Sequence, residues 1–219
     1  MGRPGRQPWS TRTARDRTDS ATRAALLDAA EDLFAEQGYK QSPIAAIAQR
    51  AGTSRATFYV YFSSREEVFR ALAERVRDEI TAVQRVAGRG STDPRVVIGT
   101  SIRAALAVYA RKNRFITVMQ HQALTDPGVA ELWREVQNAP SRVNAEFIGF
   151  LCAEHGARPA ASARTVAEVV AAALVHLAAQ AADDPARLDE LGRDLVEVYL
   201  RLVGLPPTGA GHEQERGEA

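Results

Sequence analysis

The sequence predicts an all-α protein. An N-terminal three-helix unit containing a helix-turn-helix is followed by a larger helical bundle. Three observations carry this. Apolar residues recur at helical spacing across nearly all of residues 18–204. The breaks between those runs hold helix-stop and helix-start residues such as Gly38, Ser42-Pro43, Gly52-Thr53 and Asp126-Pro127. β-branched residues also fall at helical spacing, so no strand is expected. The chain has 219 residues, 45% hydrophobic and 25% charged, enough to bury a core without disulfides or metals.

The elements follow in order. Residues 1–17 carry Gly, Pro, Ser, Thr and Arg without an apolar period and read as a disordered basic arm. Asp19 or Ser20 caps a first helix, whose stripe is Leu26, Ala30, Leu33, Phe34 and Gln37. Gly38 ends it. Ser42 as N-cap and Pro43 as first helical residue open the second helix, with Ile44, Ile47, Ala48 and Ala51 as its apolar face. After the Gly52-Thr53 turn, Ser54 caps a short third helix over residues 55–62. Ser63 or Ser64 caps a fourth, residues 65–86, with Glu66 and Glu67 favourably placed in its first turn. Gly88, Gly90 and Pro94 mark the clearest break. Further helices are expected over 94–111, 114–123, 128–154, 160–182 and 186–203, with Pro140 kinking or splitting the third of these. The domains read as 18–65 for the helix-turn-helix unit and 66–204 for the body. Residues 205–219 form a disordered tail.

Charge and motifs narrow the function. Residues 1–75 hold 12 Lys and Arg against 9 Asp and Glu, and the remainder holds 16 against 18. A basic N-terminal part on a slightly acidic body points to a polyanion at one end, or to solvated arginines on a tail. The single cysteine, Cys152, excludes an intrachain disulfide and fits a reducing cytoplasm. The N-terminus shows no apolar signal segment. The apolar run 166–182 is broken by Glu168, His176 and Gln180, so no membrane span is expected. There is no GxSxG, P-loop or HExxH motif. Cys152 and His155 lack a second ligand pair, so neither metal nor cofactor is expected.

The informative segment is the third helix. Phe58 and Phe62, four apart, can anchor one face in a core with Ile44 and Ile47. The other face presents Arg55, Thr57 and Tyr59, with Tyr61 toward one edge. An arginine fork matches guanine O6 and N7, and threonine offers a hydroxyl and a methyl. Tyrosine hydroxyls hold phosphates. A short packed helix with amphipathic tyrosines is the alternative reading of the same spacing.

Residues 25–72 resemble the DNA-binding domain of the TetR family of bacterial transcription regulators. The resemblance lies in LDAAEDLFAEQGY in the first helix, IAAIAQRAG in the second, and SRATFYVYFSSREEVF through the third into the fourth. It implies that Arg55, Ala56, Thr57 and Tyr59 face the major groove and that Ser42, Ser54, Tyr61 and Arg65 grip phosphates. Arg65 stands where the family usually has lysine, a fork in place of a point charge. Ala45 and Ala56 are too small to read base edges by hydrogen bonding. The arm, with Arg12, Arg15 and Arg17, either reaches the minor groove or is a free tail.

In the body, helix 160–182 is apolar almost all round, which calls for burial on several sides. With helix 186–203 it reads as a two-fold, four-helix dimer interface through Val169, Ala173, Leu177, Leu191, Leu195 and Tyr199. A thick intrachain core is the alternative. The resemblance also implies a small-molecule pocket, with Tyr109, Phe115, Met119, His121, Trp133, Asn144, Phe147 and His176 as candidate linings and an apolar or amphipathic effector. The expected protein is a homodimeric repressor on a near-palindromic duplex operator. A regulator without an effector, an activator, or a helical enzyme are the alternatives.

Overall fold

A computed structural model of the chain describes residues 21–86 and 91–206. The expected arm, the Asp19 or Ser20 cap and the tail beyond residue 206 lie outside the described residues. Eight α-helices and one short 3₁₀ turn make up the described residues, without a strand among them: α1 (Ala21–Gln37), α2 (Ile44–Arg50), α3 (Arg55–Tyr61), α4 (Arg65–Val86), α5 (Pro94–Ala123), α6 (Pro127–His155), α7 (Ala163–Asp183), the turn Pro185–Arg187, and α8 (Leu188–Val203). The chain divides into two compact units between Leu72 and Ala73, inside α4. That is seven residues beyond the boundary expected from sequence. The first turns of α4 belong to the N-terminal core, where Val68, Phe69 and Leu72 are buried.

The N-terminal unit is closed by aromatic residues. Phe34, Tyr39 and Phe69 form a triad with ring centroids 4.9–5.6 Å apart. Each edge-to-face pair adds about 0.5–1.5 kcal/mol to simple burial. Phe58 and Phe62 are also buried, together with Ile47, which fixes the inward face of α3. Arg50 clamps α2 to α1 through two bonds to the Glu36 carboxylate, 2.8 and 3.1 Å. Gly52 holds φ +67° in the turn between α2 and α3, a conformation that disfavours any side chain. Ser54 caps α3 as expected, accepting from the Thr57 amide at 3.0 Å. At the start of α4, the Glu67 carboxylate accepts from the Ser63 amide and hydroxyl, and the Glu67 amide donates to Ser64. This is a reciprocal cap of the kind the serine-glutamate spacing predicts.

Several expectations need correction. Ser42 does not cap α2. Pro43 holds the cap position with extended backbone (ψ 152°), and the Ser42 hydroxyl donates back to the Gly38 carbonyl at 2.8 Å. The expected helices 94–111 and 114–123 are one continuous α5. Lys112-Asn113-Arg114 contains no glycine or proline to stop it, and Phe115 and Ile116 are buried immediately afterwards. Pro140 does not split α6, which runs from Pro127 to His155. The missing Pro140 amide removes one ladder bond without ending the helix.

The body packs α7 against α5, α6 and α8. By length and composition α7 could cross a membrane. One face of it packs into the body, burying Val166, Ala167, Val170, Leu174, Ala178 and Ala181. Three helices of the body open on a side-chain cap: Asp93 for α5, Asp126 for α6 and Ser162 for α7.

Candidate nucleic-acid interface and body cavity

α3 turns the expected face outward. Arg55 and Ala56 are exposed, Thr57 is half-exposed, and Tyr59 is 46% exposed. Arg55 is already ordered on this face. Its guanidinium lies 5.6 Å from the Tyr59 ring centre and donates to the Tyr59 hydroxyl at 3.2 Å. The Ser54 and Thr57 hydroxyls meet at 2.9 Å. Val60, 53% exposed, is an apolar neighbour on the same helix that the sequence reading passed over.

The residues expected on phosphates separate. Ser54 is exposed, and Tyr61 is half-buried and engaged with a neighbour. Arg65 stacks its guanidinium on the Tyr39 ring at 4.3 Å and donates to the Lys40 carbonyl at 3.1 Å. Its Nε has no hydrogen-bond partner. This is a fork held in place by an aromatic plate, an arrangement open to arginine and not to lysine. Ser42 is the correction: at 0% exposure, with its hydroxyl donated to Gly38, it has no side-chain atom to offer a phosphate.

Beside Arg65, the Tyr39 hydroxyl donates to Glu66 at 3.0 Å. Burial, then that hydrogen bond, raises the Tyr39 pKa. The Glu66 carboxyl is held below its ordinary value, first by its own backbone amide, with help from Ser64, Tyr39 and the Arg65 charge against the opposing effect of burial.

The body holds a cavity of about 420 Å³ lined from all five of its helices. Of the expected lining residues, Tyr109, Asn144 and Phe147 reach it. Phe115 and Met119 do not: they are buried in the C-terminal half of α5, whereas the cavity follows α5 only from Val97 to Tyr109. Trp133 precedes the stretch of α6, from Pro140 onward, that forms the wall. His121 and His176 are exposed, and Gln180 Nε2 bonds the His176 ring at 3.0 Å. The sequence reading missed Gln84, Ser101, Ile102, Val170 and Leu174 as lining. Leu174 and Val170 were visible only as an apolar stripe, and a stripe does not say whether it meets side chains or a void.

The expected dimer residues divide as well. Val169 is 52% exposed, and Ala173 and Leu177 are partly exposed, all on one face of α7. Leu191, Leu195 and Tyr199 are buried within the chain, so they are corrected to intrachain core. Tyr199 in fact lines the cavity and donates to Asn144 Oδ1 at 2.5 Å. The outward side of α8 carries Val198, 50% exposed, and Leu202, both members of the apolar repeat of helix 186–203. Among the described residues no cluster of three or more His, Cys, Asp or Glu side chains is placed to hold a metal.

Comparison with known proteins places this geometry. Residues 26–72 match the family model of bacterial regulatory proteins, tetR family. The HTH-type transcriptional repressor BepR of Brucella suis is 31% identical over 158 residues, which span 69% of this chain and 76% of that protein. The HTH-type transcriptional activator FasR of Mycolicibacterium smegmatis is 30% identical over 109 residues, about half the length of each. In fold, the chain resembles the transcriptional regulator FadR from Bacillus subtilis, solved in complex with stearoyl-CoA. That match has a TM-score of 0.69 and 16% identity, and covers 84% of this chain and 99% of that one. The family match runs through the helix-turn-helix, and the match to BepR is too long to be confined to the N-terminal unit. The chain therefore belongs to the TetR family of bacterial transcription regulators, and it is a DNA-binding regulator of transcription.

Proposed function

We propose that the protein is a homodimeric repressor that binds a near-palindromic duplex operator and leaves it when a small, mainly apolar molecule occupies the body cavity. The observation that carries the DNA reading is the outward face of α3, where Arg55 is exposed and ordered on Tyr59. Arg55, Ala56, Thr57 and Tyr59 enter the major groove, and Arg55 reads guanine. Ser54, Tyr61 and Arg65 hold the flanking phosphates. Two copies present two recognition helices at a spacing of about 34–36 Å, or a multiple of it. Tyr59 and Val60 supply apolar contacts beside them.

Repression, rather than activation, is favoured by BepR, the relative matched over the larger share of its length. The named activator is matched over half of its own. Effector control is supported by the cavity and by the place of α4, which contributes to the N-terminal core through Phe69 and to the cavity wall through Gln84. A ligand shifts the equilibrium only through different affinity for the DNA-competent and incompetent states. The protein so read acts in the cytoplasm on the chromosome, with no catalytic step and no cofactor.

Selection from random duplex DNA tests the first half. A palindromic consensus is expected. Arg55→Ala then costs ~1–3 kcal/mol concentrated at one base position. Uniform loss across all sequences would reduce Arg55 to a phosphate contact. Failure to enrich any sequence, at salt where non-specific binding is weak, would overturn the operator reading.

A further inference from the structure

We infer that the cavity takes an uncharged, mainly apolar molecule and reads one hydrogen-bond-accepting oxygen on it through the Tyr109 hydroxyl. The inference rests on the cavity being the effector site and specifies what that site accepts. Tyr109 is only 2% exposed and lines the cavity, yet its hydroxyl bonds to none of the described residues. A hydroxyl donor on a cavity-lining side chain with no intrachain partner is a ready contact for a ligand oxygen. Burial raises the Tyr109 pKa far above its ordinary value, so the hydroxyl keeps its proton as a donor.

The other polar groups of the wall are neutral too. Tyr199 donates to Asn144 Oδ1, leaving the Asn144 NH₂ without a partner among the described residues. Gln84 Oε1 is a buried acceptor without a partner. The wall therefore offers the Tyr109 and Ser101 hydroxyls, the Asn144 NH₂ and the Gln84 Oε1 acceptor among Ile102, Val170 and Leu174. The charged residues that border it, Arg85 and Glu146, are both exposed and opposite in sign. An ionised group drawn inside would lose its hydration, and the fixed charges on the lining are these two exposed residues of opposite sign. A ketone, ester or amide meets no such penalty and can accept from Tyr109.

The test is calorimetric titration of the purified full-length protein at pH 7.5 with three probes: 2-nonanone, nonanoate and butylbenzene. Saturable binding of 2-nonanone is expected, with nonanoate weaker by about tenfold or more. Tyr109→Phe keeps the ring and removes the donor. It is expected to weaken 2-nonanone by about 3–10-fold, the worth of one neutral hydrogen bond, and to leave butylbenzene unchanged. Butylbenzene also reports that the variant's cavity is folded, and the ketone-to-carboxylate ratio needs no variant. Absence of saturable 2-nonanone binding overturns the inference. So does nonanoate binding as tightly as the ketone, with Arg85→Ala showing whether the mouth arginine holds the anion. Equal weakening of both neutral probes by Tyr109→Phe would leave Tyr109 only a packing role and overturn it as well. If the expected pattern holds but saturating 2-nonanone leaves operator affinity unchanged, the effector reading fails while the cavity assignment stands.

Discussion

Arg65 shows how much one side chain can be prepared before DNA arrives. Its planar guanidinium rests on Tyr39 and is pinned through the Lys40 carbonyl, so little rotamer freedom remains to be lost on binding. As a phosphate contact it should act on all sequences alike. Arg65→Ala is expected to weaken operator and non-operator DNA by the same factor and to reduce the salt slope by ~0.9. An unchanged slope in binding assays across a salt series would remove Arg65 from the phosphate set. Its neighbour Glu66 makes a separate prediction about stability. A carboxyl with a lowered folded pKa stabilises the fold above its unfolded value, near 4.5, and loses that contribution as pH falls through the lower folded value. Glu66→Gln removes this dependence. The melting temperatures of wild type and variant, measured from pH 6 down to pH 3, should therefore converge toward the acid end. A gap that stays constant or widens would show that Glu66 contributes through its shape alone.

Helix ends set how legible the elements were in the sequence. Gly38, Gly52, Ser54 and the Ser63-Ser64-Glu67 cap punctuate α1 to α4, so their order and near-boundaries follow from local chemistry alone. Around Lys112-Asn113 the sequence offers polarity without a stop residue, and a run of polar residues inside a helix imitates a loop. Ser42 misleads for the opposite reason: a good capping residue is buried one position too early and spends its hydroxyl on Gly38. The cavity was legible only in part, since periodicity marks the buried side of a helix and leaves open whether another side chain fills the space. The end of α8 adds an interaction with no sequence signal beyond a glycine. Gly204 sits at φ +59°, and a Cβ there would lie 2.1 Å from the Arg158 carbonyl oxygen. Arg158 and Ala160 amides donate to the Gly204 and Leu202 carbonyls at 3.1 and 2.8 Å, joining the loop before α7 to the end of α8. Gly204→Ala combines left-handed strain of ~1–3 kcal/mol with that clash. A loss of at least ~2 kcal/mol is expected in denaturant unfolding of the body. A neutral result would mean the loop and the α8 terminus part at little cost.

At the scale of the whole molecule, α7 and α8 leave apolar surface open to solvent in the single chain. Val169, Ala173 and Leu177 lie on successive turns of α7, and Val198 and Leu202 lie outward on α8. Their inward faces are already spent: Val170 and Leu174 on the cavity, Leu191 and Leu195 on the core. In the proposed dimer a two-fold axis sets this surface against its own copy, and the small Ala173 lets the two α7 helices approach closely. Carboxylates in the middle of that contact would be buried against each other and repel. The double variant Val169→Glu, Leu177→Glu places them there at positions already partly open to solvent, so the isolated chain should fold. Sedimentation is expected to show a monomer with the wild-type helical content. Operator affinity should fall by ~10²–10⁴, because two linked recognition helices become two independent weak ones. Binding of 2-nonanone should persist, since neither residue lines the cavity. A variant that remains dimeric would place the interface elsewhere on the body. A monomer that still holds the full palindrome with unchanged affinity would show that the two half-sites are not read together.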